Sequence, residues 1–480
     1  MGAPSFAASG KGWGTVCEGK RPSGFWLGRE LHPTLCDETA RDGAPKPASC
    51  GHAIARIALL SALFAAAGCH RQPGQSAPRS IDAIAQDYVT LTLALGERDA
   101  DSLDFAVVPD SLRSQVHAEY PTLETISARS QVLRGEAQGL RQSTNLDRKD
   151  RATFLVEQLD ALTARAGMLR GHPLPFDQEA IALFHERVLP DRSAAERVTI
   201  RQQVSAMLPA GKSEADRYAA YDQRFLIPPP RLRTVMEAAI AACRQATSAH
   251  IVMPPGESVD LEFVRNQPWS AFSRYHGNGH STISVNLDFP LTVDAALELA
   301  CHEGYPGHHV FNTLRDESLI QQRGWPEAQV QPTFSPQSYL SEAAAAFAPR
   351  LAFTVAERIR IERDVLFPLA GLPPAQAERY VRICELVRGL ATAEPSIARD
   401  YLDGRLEFVR AEAAFKRKVL MAHSEAVFLY LNEYRSYMLT YTDGPERIRT
   451  AVGLTDDDAA TRTEAWKRYQ TMMTHLIATL

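Results

Sequence analysis

The chain has 480 residues, 45% of them hydrophobic and 23% charged, with a formal net charge of −5. That composition is globular, and the length suits one large helical domain or about two or three ordinary ones. A charge so close to balance gives no footing for a nucleic-acid-binding or anionic-surface protein.

In chain order, residues 1–51 come first. They are rich in Gly and Pro, hold Cys17, Cys36 and Cys50, and show neither a helical nor a strand period. They are expected to be disordered, with the true start of the protein further along. Residues 52–68 follow, with Arg56 as a short basic flank, an apolar run Ile57–Ala67 ending in Ala-Ala, and then Gly68 before Cys69. The run is about half the ~20 residues a membrane-spanning helix needs. It resembles a bacterial lipoprotein signal, although Ala66 stands where Leu is more usual; an ordinary buried helix is the alternative. The resemblance implies lipidation of Cys69, residues 69–80 as a tether, and a periplasm-facing lipoprotein of the cell envelope, anchored in the outer membrane. Beyond Cys69 only Cys243, Cys301 and Cys384 remain, too widely spaced for a disulfide framework or a metal-ligand pair, and they are expected to be buried and unpaired.

From residue 81 to the end the pattern is dominated by helices, and 81–480 is read as one domain. Ser80 is placed to cap "IDAIAQDYVTLTLALGERD", and similar periodicity recurs at 150–168, 177–188, 193–208 and 214–224. Prolines in "IPPPRLRTVMEAAIAAC" precede another amphipathic helix. Between 250 and 289 the segments "SVDLEFV", "SAFSRYHG" and "STISVNLDF" alternate, separated by Pro, Gly and Asn. They predict a small antiparallel sheet within a mainly α protein.

The chemistry concentrates in "ALELACHEGYPGHHVFNTLRD", residues 296–316. Two histidines four apart on a helix share a face, and with a glutamate beside the first they make a familiar zinc-hydrolase pattern. Here the position four after His302 is Pro306, and histidines follow at His308 and His309. On an unbroken helix His302 and His308 would point ~120° apart and stand ~9 Å apart along the axis. His302 and His309 would share a face at ~10 Å, too far for both rings to reach one ion at ~2.1 Å. Pro306 opens the helix, and Gly304 and Gly307 free the chain on either side. If two residues of 304–307 loop out, His308 lands one turn above His302 and Glu303 becomes the general base for a metal-activated water. A third ligand is offered by Glu342, set in the alanine-rich run "SYLSEAAAAFAPRLAF"; alone it would pass for a surface glutamate. His309 is read as a neighbour or substrate contact.

"HEGYPGHH", Ser341-Glu342 before the alanines, "ISVNLDFP" and "FLIPPPRL" together resemble the bacterial family catalogued as domain of unknown function 885, over roughly residues 81–480. That family is similar to helical zinc peptidases such as thimet oligopeptidase and the carboxypeptidase Taq group. The resemblance implies a large helical zinc-peptidase-like domain, one zinc ion per chain on His302, His308 and Glu342, and Glu303 as base. Family members often carry Glu-Gly-Trp-Ala-Leu-Tyr where this chain has "EAAAAF", which leaves pocket shape and substrate preference open.

Other residues carry paired readings. His276 and His280 flank a glycine-rich turn, either solvated or over the active site, with the backbone near Asn286 offering an edge to an extended peptide. Tyr437 and Tyr441, four apart, either pack or donate to an oxyanion. The function expected is zinc-dependent hydrolysis of short or unfolded peptides, with no nucleic-acid partner. The alternatives are a lipid-anchored, non-catalytic binding or scaffolding protein, and a hydrolase of a non-peptide amide or ester.

Overall fold

The Ser80 hydroxyl accepts from Ala83 N at 3.2 Å and starts helix α1, Ile81–Arg98, as its sequence position predicts. The computed structural model describes residues 79–476, apart from 121, 268, 423 and 456–458. The N-terminal extension, the signal-like segment, Cys69 and the tether up to residue 78 lie outside the described residues. Among the described residues no helix is long and apolar enough to cross a membrane.

Helices α2 (Leu123–Leu140, capped by Thr122) and α3 (Leu146–Leu169, capped by Asn145) pack on α1. Ile84, Tyr88, Leu133, Leu155 and Leu159 form the centre of that cluster. The periodic segments that follow are helices at Phe176–Phe184, Ala194–Met207 and Glu214–Asp222. A second, larger apolar cluster is built on α4 (Leu232–Ser248), α5 (Val293–Glu303), α6 (His308–Arg315) and α7 (Pro336–Ala352). Around these lie α8 (Val355–Ile361), α9 (Ala377–Arg388), α10 (Gly444–Val452) and α11 (Ala459–Thr474). The protein is mainly α-helical with a small β component, the class its sequence predicts.

The alanine run of α7 has a packing explanation. A side chain at Gly444, where α10 begins, would come within 2.6 Å of Ala343 Cβ, so the two helices approach as closely as small residues allow. Helix α7 also packs against α5.

Strand β1 (Leu103–Ala106) pairs antiparallel with β5 (Val330–Pro332). Strands β2 (Ser258–Val264), β3 (Ala271–Gly277) and β4 (His280–Asn286) form a sheet in the order β2-β4-β3. The antiparallel pairing expected is found between β3 and β4, joined by a tight hairpin at Asn278-Gly279. Strand β2 adds to the other side of β4 in parallel, so the sheet as a whole is mixed. The reason is topological: the chain leaves β2, crosses to the far edge as β3, and turns back into the middle as β4.

The cysteines depart from expectation. Cys243 on α4 and Cys301 on α5 are joined in a disulfide, with Cα atoms 5.5 Å apart, and only Cys384 is free and buried among the described residues. The 58-residue separation matches no motif spacing; the packing of α4 against α5 brings the two together.

Candidate metal centre

Helix α5 stops at the glycine-proline interruption. Gly304 N still donates to Ala300 O at 3.1 Å, an ordinary helical bond. The next is Gly307 N to Cys301 O at 3.0 Å, onto a carbonyl that residue 305 would use in an unbroken helix. Two residues are looped out, and α6 resumes from His308 with Phe311 N on Gly307 O at 2.9 Å. The Tyr305–Pro306 peptide is cis. A Cβ at position 307 would stand 1.9 Å from His302 O, so only glycine allows this close return of the chain. Tyr469 on α11 holds the loop from outside: its hydroxyl lies 3.2 Å from Pro306 O and 2.9 Å from Ala344 O, bridging the interruption to α7.

The loop brings His302 and His308 to one place, and α7 brings Glu342 to them. His302 Nε2 is 3.6 Å from Glu342 Oε2, and His308 Nε2 is 3.3 Å from Glu342 Oε1. One ligand atom from each lies within 4.8 Å of the others, and together they could hold a metal ion. Ser341 Oγ stands 3.5 Å from His308 Nδ1, on the side of the ring away from Glu342. Glu342 and Glu303 are each only 1% exposed, and His302 Nε2, Glu342 Oε2 and Glu303 Oε2 have no hydrogen-bond partner among the described residues. Buried polar atoms left in that state are costly, and two imidazoles with a carboxylate are a donor set that suits a divalent cation. Burial opposes ionisation of Glu342, and the two imidazoles beside it outweigh burial and hold its carboxyl well below the usual range. Glu303 is pushed up to about 7, chiefly by burial, with His302 opposing and Glu342 adding.

A cleft of about 290 Å³ opens onto this group. Glu303, His308, Asn312 and Glu342 form its inner wall, β1 contributes Asp104, Phe105 and Ala106, and β3 contributes Phe272, Ser273, Arg274 and Tyr275. Side chains of a strand alternate between faces, so four consecutive lining residues mean that the backbone edge of β3 faces the cleft. The expected edge near Ser284–Asn286 is corrected by the same topology. Strand β4 is paired on both sides and has no free edge.

The remaining sequence candidates separate. Tyr441 is at the site, its ring centroid 6.2 Å from that of His302. Tyr437 lies 6.2 Å from Tyr441, ring to ring, but spends its hydroxyl on Ser338 Oγ at 3.2 Å, one turn before Glu342 on α7. His309 is fully buried and turned away, with Nδ1 2.8 Å from Ser281 Oγ and Nε2 2.8 Å from Glu257 Oε2, so it fastens α6 to the sheet. His276 and His280 stack on each other at 5.1 Å and bond to Thr282 and Ser258, side chains of the sheet's polar face. Asn286 is buried and organises its own loop, donating to Gln267 O and Trp269 O. None of these last three reaches the cleft; strand alternation directs the histidines to the solvated face.

Asp104, Asn312 and Tyr469 were not singled out by sequence reasoning, and Ser341 only as the residue before Glu342. Asn312 follows His308 by four on a helix, a spacing that does place it on the same face. Nothing local marks Asp104 or Tyr469.

No family model matches the chain, and no curated protein matches it. Two solved structures are similar to it. One is the M32 carboxypeptidase from Deinococcus radiodurans R1, at 14% identity over 82% of this chain and 90% of that one, with a TM-score of 0.35. The other is described as "The Structure of CHT", at 10% identity over 82% of this chain and 91% of that one, with a TM-score of 0.34. Likeness at that distance leaves the chemistry to rest on the geometry of the site itself.

Proposed function

We propose that the protein is a zinc-dependent hydrolase of peptide bonds in short or unfolded peptides, with one zinc ion per chain held by His302, His308 and Glu342. The observation that carries this reading is the two-residue loop between α5 and α6, which gathers those three side chains beside a buried Glu303, whose Oε2 has no hydrogen-bond partner among the described residues, at the wall of a cleft. A bound zinc ion supplies Lewis-acid chemistry, polarising a carbonyl and acidifying water. Glu303 takes the proton of the attacking water and delivers it to the leaving nitrogen. Tyr441 donates to the carbonyl oxygen as charge develops there. Ser341 and the Tyr469 bridge hold His308 and its loop in position. The free edge of β3 favours a peptide over a non-peptide amide or ester, because an extended main chain can add to it as a further strand. A cleft near the lower limit of ~300–1000 Å³ for small-molecule sites suits short chains. The envelope location and the lipid on Cys69 belong to this reading and are supported by the sequence alone.

The test is metal content after purification without added zinc. About one zinc per chain, lost in His308→Ala and in Glu342→Ala, is expected of a three-ligand site. A metal-free protein of ordinary stability would instead indicate the non-catalytic binding protein.

A further inference from the structure

Helix α4 packs against α5 and reaches the looped segment by two adjacent residues. Cys243 is bonded to Cys301, the residue immediately before His302, with the two Cα atoms 5.5 Å apart. Cys301 is also the residue whose carbonyl receives Gly307 N at 3.0 Å and so closes the two-residue loop. The bridge is therefore fastened where one candidate ligand and the return of the chain toward the other meet. Arg244, next along α4, pairs with Glu257, whose Oε2 accepts from the Tyr305 hydroxyl at 2.6 Å and from His309 Nε2 at 2.8 Å. Its guanidinium carbon also lies 5.5 Å from the centroid of the Tyr305 ring. Tyr305 is in the loop and His309 adjoins His308, so this second arm reaches the far side of the same loop through side-chain contacts alone. A site of three converging side chains needs them held to within about 0.5 Å. Of the two arms, only the covalent one fixes a distance.

We propose that the Cys243–Cys301 disulfide is a positioning device for the metal centre, so that tight zinc binding, and hydrolysis with it, is acquired only when this pair is oxidised. This rests on the zinc reading above and adds a redox condition to it. Forming the bridge takes two electrons and two protons from the two thiols, by exchange with a disulfide oxidant that is released as two thiols. Both cysteines are 0% exposed, so the exchange takes place before α4 and α5 close on each other, and the finished bridge is out of reach of dissolved thiols. It is a step of maturation. Without it, α4 keeps only the Arg244–Glu257 arm, and the turn of helix that carries His302 loses its fixed point.

The experiment takes the full chain in two forms, oxidised, and reduced with dithiothreitol in mild urea and then desalted without oxygen. Each is loaded with zinc, and release of the metal to a colorimetric chelator is timed. The reduced chain is expected to release zinc roughly ten- to a hundredfold faster, the range seen when the group that orients a metal-bound side chain is removed. Re-oxidation with glutathione disulfide should restore slow release. The double variant Cys243→Ala/Cys301→Ala should behave as the reduced chain does, which separates loss of the bridge from capture of zinc by freed thiols. Leu155→Ala opens a cavity in the other apolar cluster and controls for lowered stability; it should release zinc as the parent does. Equal release from the oxidised and reduced chains would overturn the proposal, as would firm zinc retention by the double variant or fast release from Leu155→Ala. Cys243→Ala alone serves if the double variant fails to fold. If no reduced or substituted form folds, the bridge serves the fold as a whole and the proposal falls. Failure of the parent reading looks different. Bridge-dependent zinc with no cleavage of a short peptide keeps the positioning role and removes the hydrolase. Cleavage with zinc retention indifferent to the bridge does the reverse, and an oxidised chain that takes up no zinc overturns both.

Discussion

The two ends of helix α5 are both buried and both acidic, yet they are satisfied in opposite ways. Near its N-terminus Asp294 accepts from Arg358 at 2.7 Å and from Arg388 at 2.7 Å, and Glu298 is paired with the same two arginines. Burial alone would raise the Glu298 carboxyl, but Arg358, Arg388 and Arg350 hold it at about 2. Near the C-terminus, about eight or nine residues beyond Asp294, His302 Nε2 and Glu303 Oε2 have no hydrogen-bond partner among the described residues, and Glu342 Oε2, 3.6 Å from His302 Nε2, has none either. The paired end holds the helix in place; on the hydrolase reading the other end is where the metal ion would sit.

The contrast can be broken at either end. The largest effect is expected at the open end. Glu303→Gln should lower the turnover of a short peptide by about 10²–10⁴-fold, the contribution of a general base, at unchanged zinc content. Steady-state kinetics beside metal analysis would check it. At the closed end, Arg358→Met leaves Asp294 and Glu298 short of a partner in the interior and should cost about 3–5 kcal/mol of stability by denaturant unfolding. Its effect on zinc binding should be secondary to that loss. Between the ends, Tyr469→Phe removes only the hydroxyl that joins Pro306 O to Ala344 O. A loss of about 1 kcal/mol is expected, with weaker zinc retention against a chelator because the loop is less firmly held. The smallest effect concerns Glu257, which lies behind the site. His309, Tyr305 and Arg244 overcome its burial and hold its carboxyl down at about 2. A depressed folded-state pKa means stability present above the ordinary carboxylate value and lost as pH falls toward about 2. In Glu257→Gln that part of the acid dependence should vanish, seen as a flatter difference curve between the two proteins below pH ~4.5.

Much of the open end was legible from residue types. Pro306 must break a helix, Gly304 and Gly307 permit a tight return, and the histidine spacing makes sense only if two residues leave the spiral. The bond from Gly307 to Cys301 O shows that they do. Glu342 was legible because a carboxylate amid alanines needs a partner. The hairpin histidines were harder to place. Strand alternation was visible, but which face is solvated depends on what packs beneath, and that is helix. Asn286 looked like an edge because strand order cannot be read from three consecutive strands. The Cys243–Cys301 pair was invisible for a similar reason: it depends on which two helices lie side by side.

The sequence by itself determined the local events: where helices start and stop, the break after Glu303, and the donor types gathered around it. These follow from backbone sterics and periodicity, which act over a few residues. Only the tertiary structure decided what faces that break. It set β3 rather than β4 as the free edge, brought Asp104 across from the far N-terminal strand, and placed Tyr469 on the looped-out carbonyl. Those contacts join residues more than a hundred positions apart in several cases, and they are fixed by how whole elements bury their apolar faces against one another, which no short stretch of sequence encodes.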